Sequence, residues 1–282
     1  MIEPSKTLCM VGLPETGKTT YLTAFFIAAE EGTGEVSLAG YTDANRKYLN
    51  ERMEELAECR RVTRTNEQEP EELRLVLRFD SGAEESLLVP DLWGERIERA
   101  ADKRRIDEEF GKLTVESNAV LLFLRPGGST PGEGQHAFAD LCRIAGLDPE
   151  VEPGNVIAPE RWEIALAPAQ VRHVDIVQEL MALRGGAPLR LCLVISAWDK
   201  TNQELSPKEW LWENLSLLVQ MIDSQDYIEW TAFGISAQGG DFENDEDRKR
   251  LLDTELIERP IVVALDGEAS NIFAPVRWSL DT

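Results

Sequence analysis

The sequence predicts an α/β domain built on a six-stranded, mostly parallel sheet with helices on both faces. Short apolar runs bounded by turn residues alternate with longer amphipathic stretches, which is the pattern of βα units. The chain has 282 residues, of which 43% are hydrophobic and 29% charged, and this composition is that of an ordinary globular protein with a sizeable core. We expect one domain over residues 1–282.

Six apolar runs are predicted as strands. The run at 119–124 is apolar throughout, so it is expected at the centre of the sheet. The run at 73–79 alternates arginine with apolar residues, which is typical of an edge or half-exposed strand. The other four strands are predicted at 7–11, 86–90, 189–195 and 228–235.

Seven amphipathic stretches between these runs are predicted as helices. The helix at 206–223 has the clearest signals, because Ser206 is a good N-cap, Pro207 suits the first helical position and Glu209 completes a capping box. The other helices are predicted at 18–30, 43–60, 95–110, 134–145, 169–184 and 245–257.

Two regions add to this βα pattern. The stretch at about 126–168 is rich in glycine and proline, and it is predicted as a long insertion. A second, acidic insertion begins near Gln238, so the residues from about 239–282 are predicted to form a non-standard carboxyl-terminal extension.

The charge of the chain excludes several classes of function. Lys and Arg number 29 and Asp and Glu number 52, so the formal net charge is −23. Such a charge repels phosphates and anionic lipids, and we expect neither nucleic acid nor a membrane as a partner. The four cysteines form no C-x-x-C pair, which argues against zinc. Without a signal-peptide pattern or an 18-residue apolar run, the protein is expected to be soluble and cytoplasmic.

A phosphate-binding motif lies at residues 12–19. The segment Gly12-Leu-Pro-Glu-Thr-Gly17-Lys18-Thr19 fits G-x-x-x-x-G-K-[ST], follows a predicted strand and opens a predicted helix. Backbone N–H groups of such a loop and the positive end of the helix surround a β-phosphate. Lys18 would bridge the β- and γ-phosphates, and the Thr19 hydroxyl would hold Mg²⁺. The predicted phosphate-binding residues are Gly12, Pro14, Glu15, Thr16, Gly17, Lys18, Thr19 and Thr20.

Three further motifs each follow a predicted strand. They are Asp91-Leu-Trp-Gly94-Glu95, Ser196-Ala-Trp-Asp199-Lys200 and Ser236-Ala237-Gln238. Each motif is weak by itself. In open parallel sheets, however, ligands bind at the carboxyl ends of the strands, and all three motifs lie there.

The ordered set of four motifs resembles the G1, G3, G4 and G5 boxes of the TRAFAC class of P-loop GTPases, over residues 7–238. The forms D-L-W-G-E and S-A-W-D-K and the ending Asn271-Ile-Phe-Ala-Pro-Val-Arg-Trp278 are similar to the bacterial double-GTPase group, which is expected to act in signalling or conflict (defence) systems. The resemblance implies a Mg²⁺-dependent switch that binds GTP and GDP and hydrolyses GTP slowly or with a partner's help. It also implies a protein partner, and a second GTPase of the same operon is the first candidate.

By this resemblance, Asp91 would lie on the Mg²⁺ side of the phosphates and the N–H of Gly94 would sense the γ-phosphate. Glu95 takes the place of the residue that orients the attacking water, but its charge also lies beside the γ-phosphate. The switch threonine that closes over Mg²⁺ is either Thr63 or Thr65, and we favour Thr65. The predicted catalytic residues are therefore Lys18, Thr65 and Glu95, and the predicted metal ligands are Thr19, Thr65 and Asp91.

On the base side, the resemblance implies that Asp199 accepts hydrogen bonds from guanine N1 and N2. The N–H of Ala237 would meet guanine O6. The fourth box departs from N-K-x-D because Ala197 replaces the lysine that stacks on the base, and Lys200 or Trp198 is the candidate substitute. The predicted base-binding residues are Asp199, Lys200, Ser236 and Ala237.

Two other functions remain open on the sequence. The altered fourth box and Glu95 also fit a nucleotide-locked scaffold subunit that never cycles, and the P-loop also fits an ATP-using enzyme. Arg60, Arg61 and Arg64 form a basic spot near the first switch. An internal arginine finger is one explanation of that spot, and a solvated helix end is the commoner one.

Overall fold

The computed structural model describes residues 6–32, 35–41, 43–62, 72–90, 108–126 and 168–280. Within these ranges, nine strands form one sheet in the order β2-β3-β4-β1-β5-β6-β7-β8-β9. Five neighbouring strands, from β4 through β1, β5 and β6 to β7, are parallel, and the flanking strands are antiparallel. The strands are β1 (Lys6–Val11), β2 (Val36–Tyr41), β3 (Glu72–Phe79), β4 (Glu84–Pro90), β5 (Ala119–Leu124), β6 (Leu189–Ser196), β7 (Ile228–Ser236), β8 (Ile261–Ala264) and β9 (Ala269–Ser270).

The predicted fold class is confirmed, and all six predicted strands belong to the sheet. β5 is the middle strand of the nine, and its six residues are all buried, as its unbroken apolar run predicts. β3 buries its apolar positions and exposes Arg78, so the half-exposed alternative is correct. It is not an edge strand, because β2 pairs with its outer side. The described sheet is therefore wider than predicted, by β2 at one edge and by β8 and β9 at the other.

The helices agree with the prediction at most positions. Instead of one helix at 206–223 there are two, because the backbone breaks at Leu215, where φ is −134° and ψ is 41°. The capping box of Ser206 and Glu209 is present. The predicted helix at 245–257 ends at Leu252 and is followed by a short 3₁₀ turn. The helices are α1 (Lys18–Glu31), α2 (Asp43–Ala57), α3 (Glu108–Glu116), α4 (Ala169–Arg184), α5 (Pro207–Asn214), α6 (Ser216–Asp223), α7 (Asp245–Leu252) and α8 (Ala274–Leu280).

Helices cover both faces of the sheet, each over its own apolar cluster. One cluster joins α1, α2 and α8 to alternate residues of the central strands, with Phe25 of α1 stacked edge-on against Phe273 at 5.4 Å between ring centroids. The other cluster joins α4, α5 and α6 to the opposite residues of the same strands. The carboxyl-terminal residues are part of this core, since Tyr21 Oη donates to Ile272 O at 3.1 Å.

The described residues contain no helix that is long and apolar enough to span a membrane. The predicted helix at 134–145, most of the predicted helix at 95–110 and nearly all of the insertion at about 126–168 lie outside the described residues.

Candidate nucleotide-binding site

Three sequence motifs meet at one edge of the sheet. β1, β6 and β7 belong to the parallel set, so their carboxyl ends point the same way. Residues 12–17 follow β1, residues 197–200 follow β6 and residues 237–240 follow β7. This edge is where open parallel sheets bind ligands.

The loop after β1 has the shape of a phosphate cradle. Its first glycine cannot carry a side chain, because a Cβ on Gly12 would lie 2.8 Å from Thr16 Oγ1 and 2.9 Å from Phe123 O. Gly17 has a positive φ of 83° and is the N-cap of α1. Having no side chain, Gly17 leaves the first N–H groups of α1 directed at the loop, where an anion is favoured. Thr19 and Thr20 lie half-buried in the first turn of the helix.

The Lys18 ammonium lies inside this loop. Its side chain is 5% exposed and donates to Gly12 O at 2.8 Å and to Leu13 O at 2.9 Å. A third contact joins Lys18 Nζ to Thr16 Oγ1 at 3.3 Å. Because a buried ammonium needs such acceptors, the loop holds a positive charge at its centre, where a phosphate would place its oxygens.

The loop after β6 touches the phosphate loop directly. A Cβ on Gly17 would lie 3.2 Å from Ser196 Cβ, and the Ser196 hydroxyl donates to Leu124 O at 3.0 Å. Ala197 then has a positive φ of 48°, and a 3₁₀ turn, Trp198–Lys200, follows. This sharp turn brings Asp199 to the same edge as the phosphate loop.

Trp198 does not lie over the site and so cannot replace the stacking lysine. Its side chain is 2% exposed and belongs to the apolar cluster under α4, α5 and α6. The indole packs flat on the backbone of Gly234 in β7, where a Cβ would lie 2.2 Å from Trp198 Cδ2. Trp198 therefore anchors the turn that carries Asp199, and this proposed substitute for the lysine was wrong.

Two buried oxygens at this edge of the sheet have no hydrogen-bond partner among the described residues. They are Oδ1 of Asp199 and Oγ of Ser236. Ser236 is fully buried at the end of β7, and Ala237 beside it is 9% exposed. Buried polar atoms in native proteins are nearly always satisfied. The two oxygens therefore mark a place where a ligand with complementary hydrogen-bonding groups fits.

Lys200 is the remaining candidate for the missing lysine. Its ammonium is half-exposed and lies 2.9 Å from Oδ2 of Asp241. The hydrogen bond from Lys200, together with one from the N–H of Glu243, lowers the pKa of Asp241 below its ordinary value. Asp241 is held in turn by Asp247, whose Oδ2 accepts from the N–H of Asp241 at 2.9 Å. The loop after β7 thus fixes Lys200 next to Asp199.

An ion-pair cluster is centred on Glu15 of the phosphate loop. Glu15 has a positive φ of 63°, which is uncommon for a residue with a side chain. Its Oε1 accepts from Arg61 at 2.7 Å, and its Oε2 lies 3.5 Å from Nη1 of Arg125. Arg125 also donates to the backbone oxygen of Glu15 at 3.0 Å. Arg60, by contrast, pairs with the exposed Glu58 at 2.7 Å. Both arginines are solvent-exposed, and Arg61 differs from Arg60 in that its partner carboxylate belongs to the phosphate loop.

Several predicted site residues lie outside the described part of the chain. These are Thr65, Asp91, Gly94 and Glu95, together with Thr63 and Arg64.

Sequence reasoning missed Arg125 and Asp241 as members of this region. Arg125 directly follows the wholly apolar strand β5, and this is the same signal that located the other motifs. Asp241 has no signal of its own, because its pairing with Lys200 depends on the path of the loop after β7.

The chain is similar to one protein family and to several solved structures. The family model of Double-GTPase 1 matches residues 9–279. Among solved structures, the signal recognition particle receptor SRβ-GTP/SRX complex from Chaetomium thermophilum is similar with a TM-score of 0.44 and 13% identity, over 82% of this chain and 90% of that chain. Sup35 complexed with GDP is similar with a TM-score of 0.32 and 12% identity, over 83% of this chain and 38% of that chain. No curated protein sequence matches the chain.

The match to the family model covers nearly the whole chain, and it confirms the resemblance that the four motifs predict. Guanine-nucleotide binding by a P-loop GTPase domain follows from that membership. The chain belongs to the Double-GTPase 1 family.

Proposed function

We propose that this protein is a Mg²⁺-dependent molecular switch that alternates between GTP- and GDP-bound forms and hydrolyses GTP slowly or with a partner's help. The observation that supports this most directly is that two buried oxygens, Oδ1 of Asp199 and Oγ of Ser236, have no partner in the described part of the chain, at the sheet edge that also holds a phosphate loop with a buried ammonium. In this proposal the output is a change of protein surface, and the setting is a bacterial signalling or defence system.

On the base side, Asp199 is the proposed guanine reader. A guanine edge carries two neighbouring donors, N1–H and N2–H, and a carboxylate accepts from both. Adenine presents an unprotonated N1, so the same carboxylate disfavours it. Ala237 is proposed to donate its N–H to guanine O6, and the Lys200–Asp241 ion pair is proposed to border the base where the stacking lysine is missing.

On the phosphate side, the loop from Gly12 to Gly17 and the N-terminus of α1 are the proposed cradle. Lys18 is proposed to neutralise the β- and γ-phosphates, since its ammonium is already held at the centre of the loop. The hydroxyl of Thr19, in the first turn of α1, is a hard oxygen donor of the type that Mg²⁺ prefers. Mg²⁺ would there offset the negative charge on the phosphates. Asp91 and Thr65 remain the proposed further ligands.

Hydrolysis requires a water aimed at the γ-phosphate and charge that stabilises the leaving oxygen. Glu95 is the proposed water-orienting residue, and Gly94 is proposed to sense the γ-phosphate. A carboxylate at position 95 adds negative charge beside a phosphate, which is the reason to propose a slow reaction. A protein partner, with a second GTPase of the same operon as the first candidate, is the proposed source of acceleration.

Calorimetric titration of nucleotide-free protein with GTP, GDP and ATP in Mg²⁺ tests this proposal. We expect micromolar or tighter binding of GTP and GDP, and binding of ATP that is about tenfold weaker or more. Lys18→Ala is expected to abolish binding. Equal binding of ATP would favour an ATP-using enzyme instead.

Turnover separates the switch from a nucleotide-locked scaffold. The switch releases phosphate repeatedly from excess GTP, whereas the scaffold releases at most one phosphate per protein. The same assay with a co-purified partner protein measures any acceleration.

A further inference from the structure

The two arginines that pair with Glu15 of the phosphate loop, Arg61 and Arg125, have no role in the nucleotide site described so far. Together, the carboxylate of Glu15 and the two guanidinium groups carry a net charge of +1 at this position of the phosphate loop. In a chain of net charge −23, this local positive charge stands out, and it lies on the loop that cradles the phosphates.

The two arginines are held in different ways. Arg125 directly follows β5 and donates to the backbone oxygen of Glu15 at 3.0 Å. It therefore holds the phosphate loop at Glu15, the residue with the positive φ. The Arg61 guanidinium makes one hydrogen bond with a described residue, to the carboxylate of Glu15 at 2.7 Å. Its side chain is 74% exposed. A single exposed ion pair is weak and easily exchanged.

The backbone that carries Arg61 is firmly anchored. Arg259, 5% exposed, donates to Leu56 O at 2.9 Å and to Ala57 O at 3.4 Å, which ties the end of α2 to the carboxyl-terminal part of the core. Arg61 therefore combines a fixed starting point with a guanidinium that can move by rotation of its side chain.

We propose that Arg61 is a catalytic arginine supplied by the chain itself, and that Glu15 is the positioning residue that keeps it at the phosphate loop; this rests on the proposed GTPase function. A γ-phosphate is a stronger acceptor for a guanidinium than one exposed carboxylate, because its oxygens carry more charge. With GTP bound, Arg61 keeps one guanidinium N–H on Glu15 and donates from another to the oxygen between the β- and γ-phosphates.

The reaction that Arg61 is proposed to assist is the hydrolysis of GTP to GDP and phosphate. The water oxygen forms a bond to the γ-phosphorus, and the bond from that phosphorus to the β–γ bridging oxygen breaks. The electron pair stays on the bridging oxygen, which becomes a terminal oxygen of GDP, and the protons of the water remain with the phosphate and solvent. Arg61 stabilises the charge that develops on this leaving oxygen, as arginine does in related phosphoryl transfers.

The test is single-turnover hydrolysis by full-length protein preloaded with GTP. We expect Arg61→Ala to lower the rate by about a hundredfold or more, and Arg61→Lys to recover little of it because a point charge lacks the planar fork. Arg60→Ala is the matched control, since Arg60 is the neighbouring exposed arginine and pairs with Glu58. Its rate is expected to stay within about twofold of wild type.

Two further readouts exclude a merely structural effect. GDP affinity of Arg61→Ala is expected to stay within about threefold of wild type, while binding of aluminium fluoride to its GDP complex is lost, because aluminium fluoride mimics the transferred phosphoryl group. Glu15→Gln is expected to slow the wild-type reaction by about tenfold and to have no effect in the Arg61→Ala background, since a positioning residue acts only through its partner.

A rate for Arg61→Ala within about threefold of wild type, or additive effects of Glu15→Gln and Arg61→Ala, overturns the inference and leaves the nucleotide switch intact. If wild-type protein fails to bind GTP in the calorimetric titration, both this inference and the proposed nucleotide switch are overturned.

Discussion

The close contact between Trp198 and Gly234 makes the base side of the site sensitive to a single methyl group. An ideal Cβ on Gly234 would lie 2.2 Å from Trp198 Cδ2, and ordinary contact begins at 3.4 Å, so Gly234→Ala requires a shift of about 1.2 Å. The indole is 2% exposed and surrounded by the core, so it has no open direction in which to move. Overpacking of this kind costs about 1–3 kcal/mol of folding free energy.

The same shift should reach the nucleotide, because Asp199 directly follows Trp198 in the 3₁₀ turn. We expect Gly234→Ala to lower GDP affinity by about tenfold, which is about 1.4 kcal/mol. Denaturant unfolding and fluorescence titration with a labelled GDP measure the two effects.

Gly40→Ala is the control, because its Cβ would meet Val76 Cγ2 at an ordinary 3.7 Å. It should leave GDP binding unchanged and keep or slightly raise stability, by up to about 1 kcal/mol. If Gly234→Ala behaves like Gly40→Ala in both assays, the indole does not support the turn as described.

Two more predictions concern the charged groups around the site. Arg259→Met removes the donor to Leu56 O and Thr254 O and should lower the free energy of unfolding by about 1–3 kcal/mol, measured by denaturant titration, because Thr254 O loses its partner and Leu56 O keeps only the N–H of Cys59. The hydrogen bond from Lys200 lowers the pKa of Asp241 in the folded protein below the ordinary 3.8. The ion pair's contribution to stability is therefore complete above about pH 5, and it is lost as the pH falls below 3.8 toward the folded-state pKa. The difference in Tm between wild type and Asp241→Asn should therefore be constant from pH 7 to pH 5 and shrink as the pH falls below 3.8.

Arg259→Met and Asp241→Asn each have a matched control variant. Arg248→Met changes an exposed arginine of α7 and should leave stability within about 0.5 kcal/mol of wild type. Asp226→Asn changes an exposed aspartate before β7, and its Tm difference from wild type should not follow that of Asp241→Asn. A loss for Arg259→Met no greater than that of Arg248→Met would contradict the buried bonds. A Tm difference that stays constant as the pH falls below 3.8 would contradict the role of the ionised Asp241 in the ion pair.

The parallel core could be predicted from the sequence because its strands are unbroken apolar runs between turns. β2 was missed because Val-Ser-Leu-Ala-Gly-Tyr mixes small and polar residues, and β8 and β9 because four and two residues carry too little pattern. The break at Leu215 is invisible to periodicity, since Leu211, Leu215, Leu218 and Ile222 still form one buried face.

The positions of the site motifs could be predicted for a related reason, which is that parallel strands bring their carboxyl ends to one edge. The orientation of individual side chains could not be predicted. Trp198 turns into the core because Gly234 in the next strand leaves room for it, and that pairing depends on register. The contact of Arg61 with Glu15 joins residues 46 positions apart, which local patterns do not encode.

Base recognition by Asp199 is the central claim, and exchanging its acceptor for a donor tests it most directly. Xanthine carries a carbonyl where guanine has its N2 amino group, so the amide of Asn matches xanthosine triphosphate and places a second donor against guanine N2. Calorimetric titration of Asp199→Asn should show GTP binding weakened by about 1–3 kcal/mol and xanthosine triphosphate bound more tightly than by wild type, with Asp226→Asn unchanged for both nucleotides. Unaltered GTP binding by Asp199→Asn would contradict the assignment of Asp199 as the guanine reader.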